Sequence, residues 1–211
     1  RRVMLANPDS ESIVATLRAL GAQLDTRAVL VPCTDLAVIG IARHREELSK
    51  YFLTSVPAHP VIEQLMDKAL FAEFAVKQGL PIPTTRVLRS RSDAEATARE
   101  ARFPCVLKPS VKSVMWDTNA AAKALIADSP AALLDLYDRH TPWAETFVVQ
   151  EWIRGGDSDH YTCDSYLSEH GEPLVTFSSR KLRPWPPVVG QGCLSVEHRN
   201  DAVRDEAIRA L

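Results

Sequence analysis

Residues 147–157, Phe147-Val-Val-Gln150-Glu151-Trp152-Ile153-Arg154-Gly155-Gly156-Asp157, decide how this chain is read. Apolar residues run into polar ones, a pair of glycines follows, and a carboxylate stands just past them. That order predicts a buried strand that reaches a surface, turns tightly and returns near its own mouth. Earlier in the chain, Phe103-Pro104-Cys105-Val106-Leu107-Lys108-Pro109 has the same apolar-then-polar pattern and closes on a lysine.

A lysine that closes a buried strand must reach a cleft or an anionic partner, because an unpaired buried ammonium is costly. The plain alternative is a lysine that snorkels from the strand end into water. Gln150 carries both a donor and an acceptor, and the strand-end backbone of Glu151 and Ile153 is placed to meet the edge of a flat heterocycle. Here the plain alternative is a simple hinge between two strands. Together, a cation closing one strand and a carboxylate beyond the turn of the other suit a nucleotide, with phosphate beside Lys108 and ribose hydroxyls beside Asp157.

Outward from these two strands, helical spacing and turn residues alternate along the chain. Ile13, Val14, Leu17 and Leu20 predict a helix stopped by Gly21, and residues 28–31 a short parallel-type strand. A helix is expected over 36–48, a strand over 51–54, and the clearest helix of the chain over 61–78, closed by Gly79. Alternation at this pitch argues for an α/β layer. Leu80-Pro-Ile-Pro83 must be extended, since its prolines forbid helix. It marks the expected boundary between residues 1–80 and the rest.

Beyond it, strands are expected over 84–88, 105–108, 123–126 and 146–153. Helices are expected over 92–101, with Ser92 and Glu95 as a capping box, and over 130–139. After the glycine pair, 161–167 and 174–182 predict an antiparallel hairpin. A strand over 193–196 and a helix capped by Asp201 close the chain.

Composition excludes several classes. Apolar residues make up 45% of the 211 and charged ones 25%, enough for an ordinary buried core. A formal net charge of −2 gives no electrostatic case for nucleic acid or an anionic membrane surface. Cys33, Cys105, Cys163 and Cys193 lie far apart with no metal-ligand spacing, and three of them sit in apolar or alternating runs. Free thiols in a reducing cytoplasm are therefore expected. No apolar run has the length of a membrane span, and no nucleophile-elbow GxSxG occurs.

Four stretches in order carry a resemblance: Asp67-Lys68 at a helix start, Gly79-Leu-Pro-Ile-Pro83, Phe103-Pro-Cys-Val-Leu-Lys-Pro109 and Val148-Val-Gln-Glu-Trp-Ile-Arg-Gly-Gly-Asp157. This series is similar to the ATP-grasp superfamily, over about residues 60–185. The implied fold is α/β and α+β: a Rossmann-like pre-ATP-grasp domain over 1–80, incomplete at its start, then a partial ATP-grasp domain with a mixed or antiparallel sheet and helices. Residues 81–153 would form its small lid subdomain and 154–211 the beginning of its C-terminal subdomain.

The resemblance also implies roles. Lys68 and Lys108 would contact ATP phosphates and Gln150 the adenine amino group. Glu151, Trp152 and Ile153 would supply hinge backbone, Trp152 or Ile153 packing on the base, and Asp157 would bind ribose. The basic segment 177–187 resembles that of carboxylate-amine ligases, so Arg180 and Arg183 would orient the γ-phosphate or a substrate carboxylate. A solvated basic edge strand is the plain alternative.

Two departures stand out. The loop after Lys108, residues 110–119, has no glycine, leaving Ser110, Lys112 and Ser113 to cover phosphate with side chains, or the loop to move. No Glu-x-Asn pair follows Asp201, so the Mg2+ ligands are expected beyond Leu211 and the 211 residues are expected to be inactive alone.

The implied activity is an ATP-dependent ligase that joins a small-molecule carboxylate to an amine or thiol through an acyl phosphate. Neither nucleic acid nor membrane is expected as a partner, and a homodimer is left open. A non-catalytic adenine-nucleotide-binding regulatory module and a plain α/β interaction domain are the competing classes.

Overall fold

A computed structural model describes residues 9–120, 124–185, 187 and 190–211. Residues 123 and 186, which fall in the ranges 123–126 and 177–187 above, lie outside the described residues. The chain divides into two compact units, residues 1–70 and 71–211. The division falls inside a helix, earlier in the chain than the proline pair.

The first unit alternates helix and strand: α1 (Ser10–Gly21), β1 (Ala28–Val29), α2 (Asp35–Arg43), α3 (Arg45–Leu48), β2 (Phe52–Leu53) and α4 (His59–Met66). β1 and β2 pair in parallel, Ala28 opposite Phe52, as an α/β crossover requires. Ile41, Ala42, Leu48, Phe52, Val56 and Ile62 form its core.

Two expectations are corrected here, and one gains a different reason. α1 ends at Gly21 as expected, but Gly21 is its last, buried residue and has no left-handed backbone. A Cβ on it would come 2.6 Å from Tyr51 Cβ, so close packing is what demands glycine. The helix expected over 36–48 breaks at His44, where φ −108° and ψ 25° leave the helical range. The helix expected over 61–78 breaks at Asp67, whose ψ of 114° is extended. Asp67 Oδ1 accepts from the amides of Ala69 (2.8 Å) and Leu70 (3.2 Å), so it caps α5 (Lys68–Lys77). Gly79, by contrast, does end α5 with φ +64°, and Leu80 N donates to Ala75 O across the cap.

In the second unit, β3 (Thr85–Leu88), α6 (Arg91–Glu100), β4 (Cys105–Pro109), α7 (Val114–Asn119), β5 (Leu125–Ala127), α8 (Pro130–His140) and β6 (Phe147–Glu151) come first. The four strands form one antiparallel sheet in the order β3-β6-β4-β5. Cys105, Leu107, Phe147, Val149 and Leu88 face α6 and α8 and build the core with Ala94, Ala98, Leu133 and Tyr137. α6 is capped two residues earlier than expected: Ser90 Oγ accepts from Asp93 N, and Asp93 Oδ2 accepts from Arg89 N. The box is therefore Ser90 with Asp93, and Glu95 pairs with Arg91 instead.

The chain then passes a 3-10 turn at Asp157–Asp159 into β7 (Tyr161–Leu167), β8 (Pro173–Trp185) and β9 (Gln191–Glu197), an antiparallel sheet in that order. α9 (Asp201–Ala210) packs on β7 and β8, capped by Asn200 Oδ1 rather than by Asp201. No helix among the described residues is long and apolar enough to cross a membrane. The expected mixture of α/β and antiparallel α+β structure is what the chain adopts.

Candidate functional site

The antiparallel sheet has two faces, and register assigns residues to them. Cys105 lies opposite Glu151 and Arg86 opposite Val149, on the side that α6 and α8 cover. Thr85 lies opposite Gln150, Val106 opposite Gln150, and Lys108 opposite Val148, all on the other side. β6 is central, so Gln150 has β3 on one flank and β4 on the other.

On that second face, Lys108 Nζ donates to Gln150 Oε1 at 2.9 Å. Gln150 Nε2 donates to Thr85 Oγ1 at 3.1 Å. Thr85 Oγ1 in turn donates to Pro83 O at 2.8 Å. Lys108 is half-buried beside Val106 and Val148, which are buried, and desolvation pushes its pKa below the ordinary lysine range. It does not snorkel freely; it is tied to a neutral carboxamide and keeps capacity for further acceptors. An anionic group brought to this face would repay the desolvation that Gln150 only partly offsets.

β6 ends at Glu151, whose amide donates to Thr84 O at 3.0 Å. That N–H is committed to the residue just before β3. Trp152 and Ile153 lie past the end of the ladder, Trp152 half-buried and Ile153 exposed. The glycine pair is not a left-handed turn, since the positive-φ glycines among the described residues are Gly79 and Gly171. A Cβ on Gly155 would stand 3.2 Å from Asp159 Oδ2, which accepts from Gly156 N at 2.6 Å and closes the turn.

Asp157 is half-buried in the 3-10 turn. Arg180, half-buried on β8, donates from Nε to Ser158 O at 2.6 Å and so holds that turn. Arg183 is exposed at an irregularity of the β8–β9 pairing, and its carbonyl accepts from Cys193 Sγ at 3.2 Å. Lys68 opens α5 and belongs to the first unit.

The segment after Lys108 differs from expectation. It holds α7, with Ser113 Oγ accepting from Trp116 N at 3.1 Å and donating to Trp143 O at 3.2 Å. Ser110 is buried, and its amide donates to Thr146 O at 2.9 Å. Trp116 is buried against Phe147 and His140. Ser113 is thus occupied as a helix cap, and a tryptophan in the core anchors the segment.

The sequence reading missed Thr85 and Trp116. Thr85 gave no signal of its own, because its role depends on lying opposite Gln150. Trp116 did give one, a Ser-x-x-Trp step at the start of a short helix. A cleft of about 280 Å³ lined by Thr84, Arg86, Ala101, Arg102, Cys105, Val149 and Glu151 opens on the helix-covered side, away from Lys108 and Gln150. Among the described residues, no group of three or more His, Cys, Asp or Glu could hold a metal ion.

No family model matches the chain. It is 26% identical over 184 residues to a D-aspartate ligase of Enterococcus faecium, covering 83% of this chain and 44% of that protein. The L-amino acid ligase of Bacillus licheniformis shares its fold with a TM-score of 0.67 at 17% identity, over 96% of this chain and 46% of the ligase. The biotin carboxylase domain of the Hydrogenobacter thermophilus 2-oxoglutarate carboxylase, solved with Mg-ADP and bicarbonate, gives 0.70 at 17% identity over 95% and 44%. The D-alanine–D-alanine ligase of Bacillus anthracis gives 0.60 at 14% identity over 93% and 63%. The chain spans less than half the length of the D-aspartate ligase that it matches. What these proteins have in common with it is the architecture that the four motifs resemble: the chain carries the ATP-grasp fold.

Proposed function

We propose that this chain is the nucleotide-holding part of a cytoplasmic ATP-dependent ligase that joins a carboxylate to an amine. The observation that carries the reading is the Lys108–Gln150 pair at 2.9 Å, on the sheet face opposite the one that α6 and α8 cover. A cation and a two-way hydrogen-bonding amide stand side by side there, as a phosphate-bearing base requires. Amino-acid ligases among the similar proteins support the amine over the thiol, and favour catalysis over a purely regulatory module.

Under this reading Lys108 meets phosphate, Gln150 meets the base, and the backbone of Glu151, Trp152 and Ile153 lines its edge. Asp157 meets the ribose, held in place through Arg180. Residues 81–153 form the lid and 154–211 begin the second half of the grasp. In the reaction a substrate carboxylate oxygen bonds to the γ-phosphorus as ADP leaves; the amine nitrogen then bonds to the acyl carbon as phosphate leaves. Arg180 and Arg183 supply positive charge that positions the anionic partners. Metal would add charge neutralisation. We further propose that these 211 residues hold nucleotide without turning it over.

Thermal unfolding with and without Mg-ATP tests the reading. Wild type is expected to be stabilised, and Lys108→Ala and Asp157→Ala to lose most of that shift. A wild-type chain that no nucleotide stabilises would overturn it. Steady ADP release by these 211 residues would overturn the claim that they hold nucleotide without turnover.

A further inference from the structure

The carboxamide of Gln150 is held from both sides, and its neighbours fix which way round it lies. Lys108 can only donate, so the atom facing its Nζ is Oε1. Nε2 therefore faces Thr85 Oγ1 and donates to it. Thr85 has a single hydroxyl proton, and that proton points to Pro83 O. Its oxygen is left only as an acceptor, and the chain of donors runs one way, from Lys108 and Gln150 through Thr85 to Pro83.

The two constraints respond differently to a ligand. A phosphate would draw Lys108 away from Gln150. Thr85 has no such alternative, because it sits in β3 directly opposite Gln150 with its proton engaged by the backbone. Reversing the amide would set Oε1 against Thr85 Oγ1 with no proton between them, unless the Pro83 bond broke. With Nε2 committed to Thr85, Oε1 stays on the Lys108 side, where a carbonyl oxygen has a second lone pair beyond the one that Lys108 takes.

We propose that Thr85 is a specificity-determining positioning residue. By accepting from Nε2 it presents Gln150 as an acceptor, selecting a nucleotide whose base carries a 6-amino group over one with a 6-oxo group. This rests on the reading that Gln150 meets the base. A 6-amino group donates to Oε1; a 6-oxo group would place two oxygens face to face with no proton between them.

Calorimetric titration with Mg-ATP and Mg-ITP, which differ at position 6 of the purine, separates the possibilities. Wild type is expected to prefer ATP at least about tenfold, the worth of one hydrogen bond gained against one denied. Thr85→Val removes the acceptor while keeping the shape, and should bring the ratio to within about threefold, chiefly through tighter ITP binding. Thr85→Ser should restore the wild-type ratio.

Gln150→Glu provides a second arm, because a carboxylate accepts in either orientation. In that background Thr85→Val should leave the ATP preference unchanged. A preference in Thr85→Val equal to wild type, or a uniform loss for both nucleotides, would overturn the inference while leaving the nucleotide reading intact. A wild type that binds both nucleotides equally would do the same. Binding of neither nucleotide by wild type would overturn both.

Discussion

Trp116→Ala should cost the second unit about 4 kcal/mol, and the reason lies in how the segment after Lys108 is held. Trp116 is 1% exposed and heads the largest fully buried side chains. Its ring lies 6.0 Å from that of Phe147 at 66°, an edge-on approach, and 5.5 Å from that of His140. An aromatic side chain buries roughly 150–250 Å², which at about 25 cal/mol/Å² corresponds to about 4–6 kcal/mol. A partly compact unfolded chain lowers that figure, while the cavity left behind raises it. Against a domain stability of about 5–15 kcal/mol, the change is large but survivable.

The effect should also be local. α7 has six residues, too few to persist on helix propensity alone. Its Val114 and Met115 are exposed, so Trp116 and the Ser113 cap are what tether it. Urea unfolding should show a lower midpoint with the slope preserved, and Trp116→Phe a smaller drop. Brief trypsin treatment under native conditions should cut at Lys112 faster in Trp116→Ala than in wild type. A loss below about 1 kcal/mol, with Lys112 as protected as before, would refute the view that this tryptophan docks the segment.

Three further outcomes are expected. Burial holds the Lys108 pKa below the ordinary 10.5, so between its folded value and 10.5 the unfolded chain binds more protons and stability rises with pH. Any stability advantage of Lys108→Met near neutral pH should therefore shrink as pH climbs toward 10.5; a parallel pair of pH–stability curves would count against it. Arg180→Ala frees the turn that carries Asp157, and should weaken Mg-ATP binding by about tenfold, the usual worth of a charged donor to a carbonyl. Arg180→Lys should recover little, lacking the planar fork, and an unchanged affinity in Arg180→Ala would dismiss the role. Burial pushes the Cys105 thiol up to about 11, so at pH 8 iodoacetamide should alkylate exposed Cys33 and Cys193 well before Cys105. Equal rates by peptide mass spectrometry would contradict the buried placement.

The strands were legible because each is an apolar run bounded by turn residues, and that signal survives without any partner. Boundaries set by one side chain were not. Ile62, Leu65, Met66, Ala69, Leu70 and Phe74 make a continuous stripe across the break at Asp67, because the break changes no apolar residue. It comes from a carboxylate bonding to two following amides, a local competition with the helix that periodicity does not register. Gly21 closes its helix as expected, but the demand for glycine comes from Tyr51, distant in sequence, which the helix-end signal does not register. Residues 110–119 read as a glycine-free loop after Lys108, yet Ser113 and Trp116 are the cap and anchor of a helix.

The site was half legible for a related reason. Lys108, Gln150 and Asp157 each carry chemistry visible in one residue and its neighbours, so they could be singled out one at a time. What joins Gln150 to Thr85 is strand order: β6 lies between β3 and β4, and pairing sets Thr85 opposite position 150 with Lys108 one step along on the other flank. A shift of one residue in either pairing would turn the partner to the helix-covered face and undo the chain of donors. The apolar residues on both faces oppose such a slip, since Val149 and Leu107 must stay in the core while Val148 and Val106 stay beside Lys108. The packing that fixes the register therefore also fixes which way the Gln150 amide points.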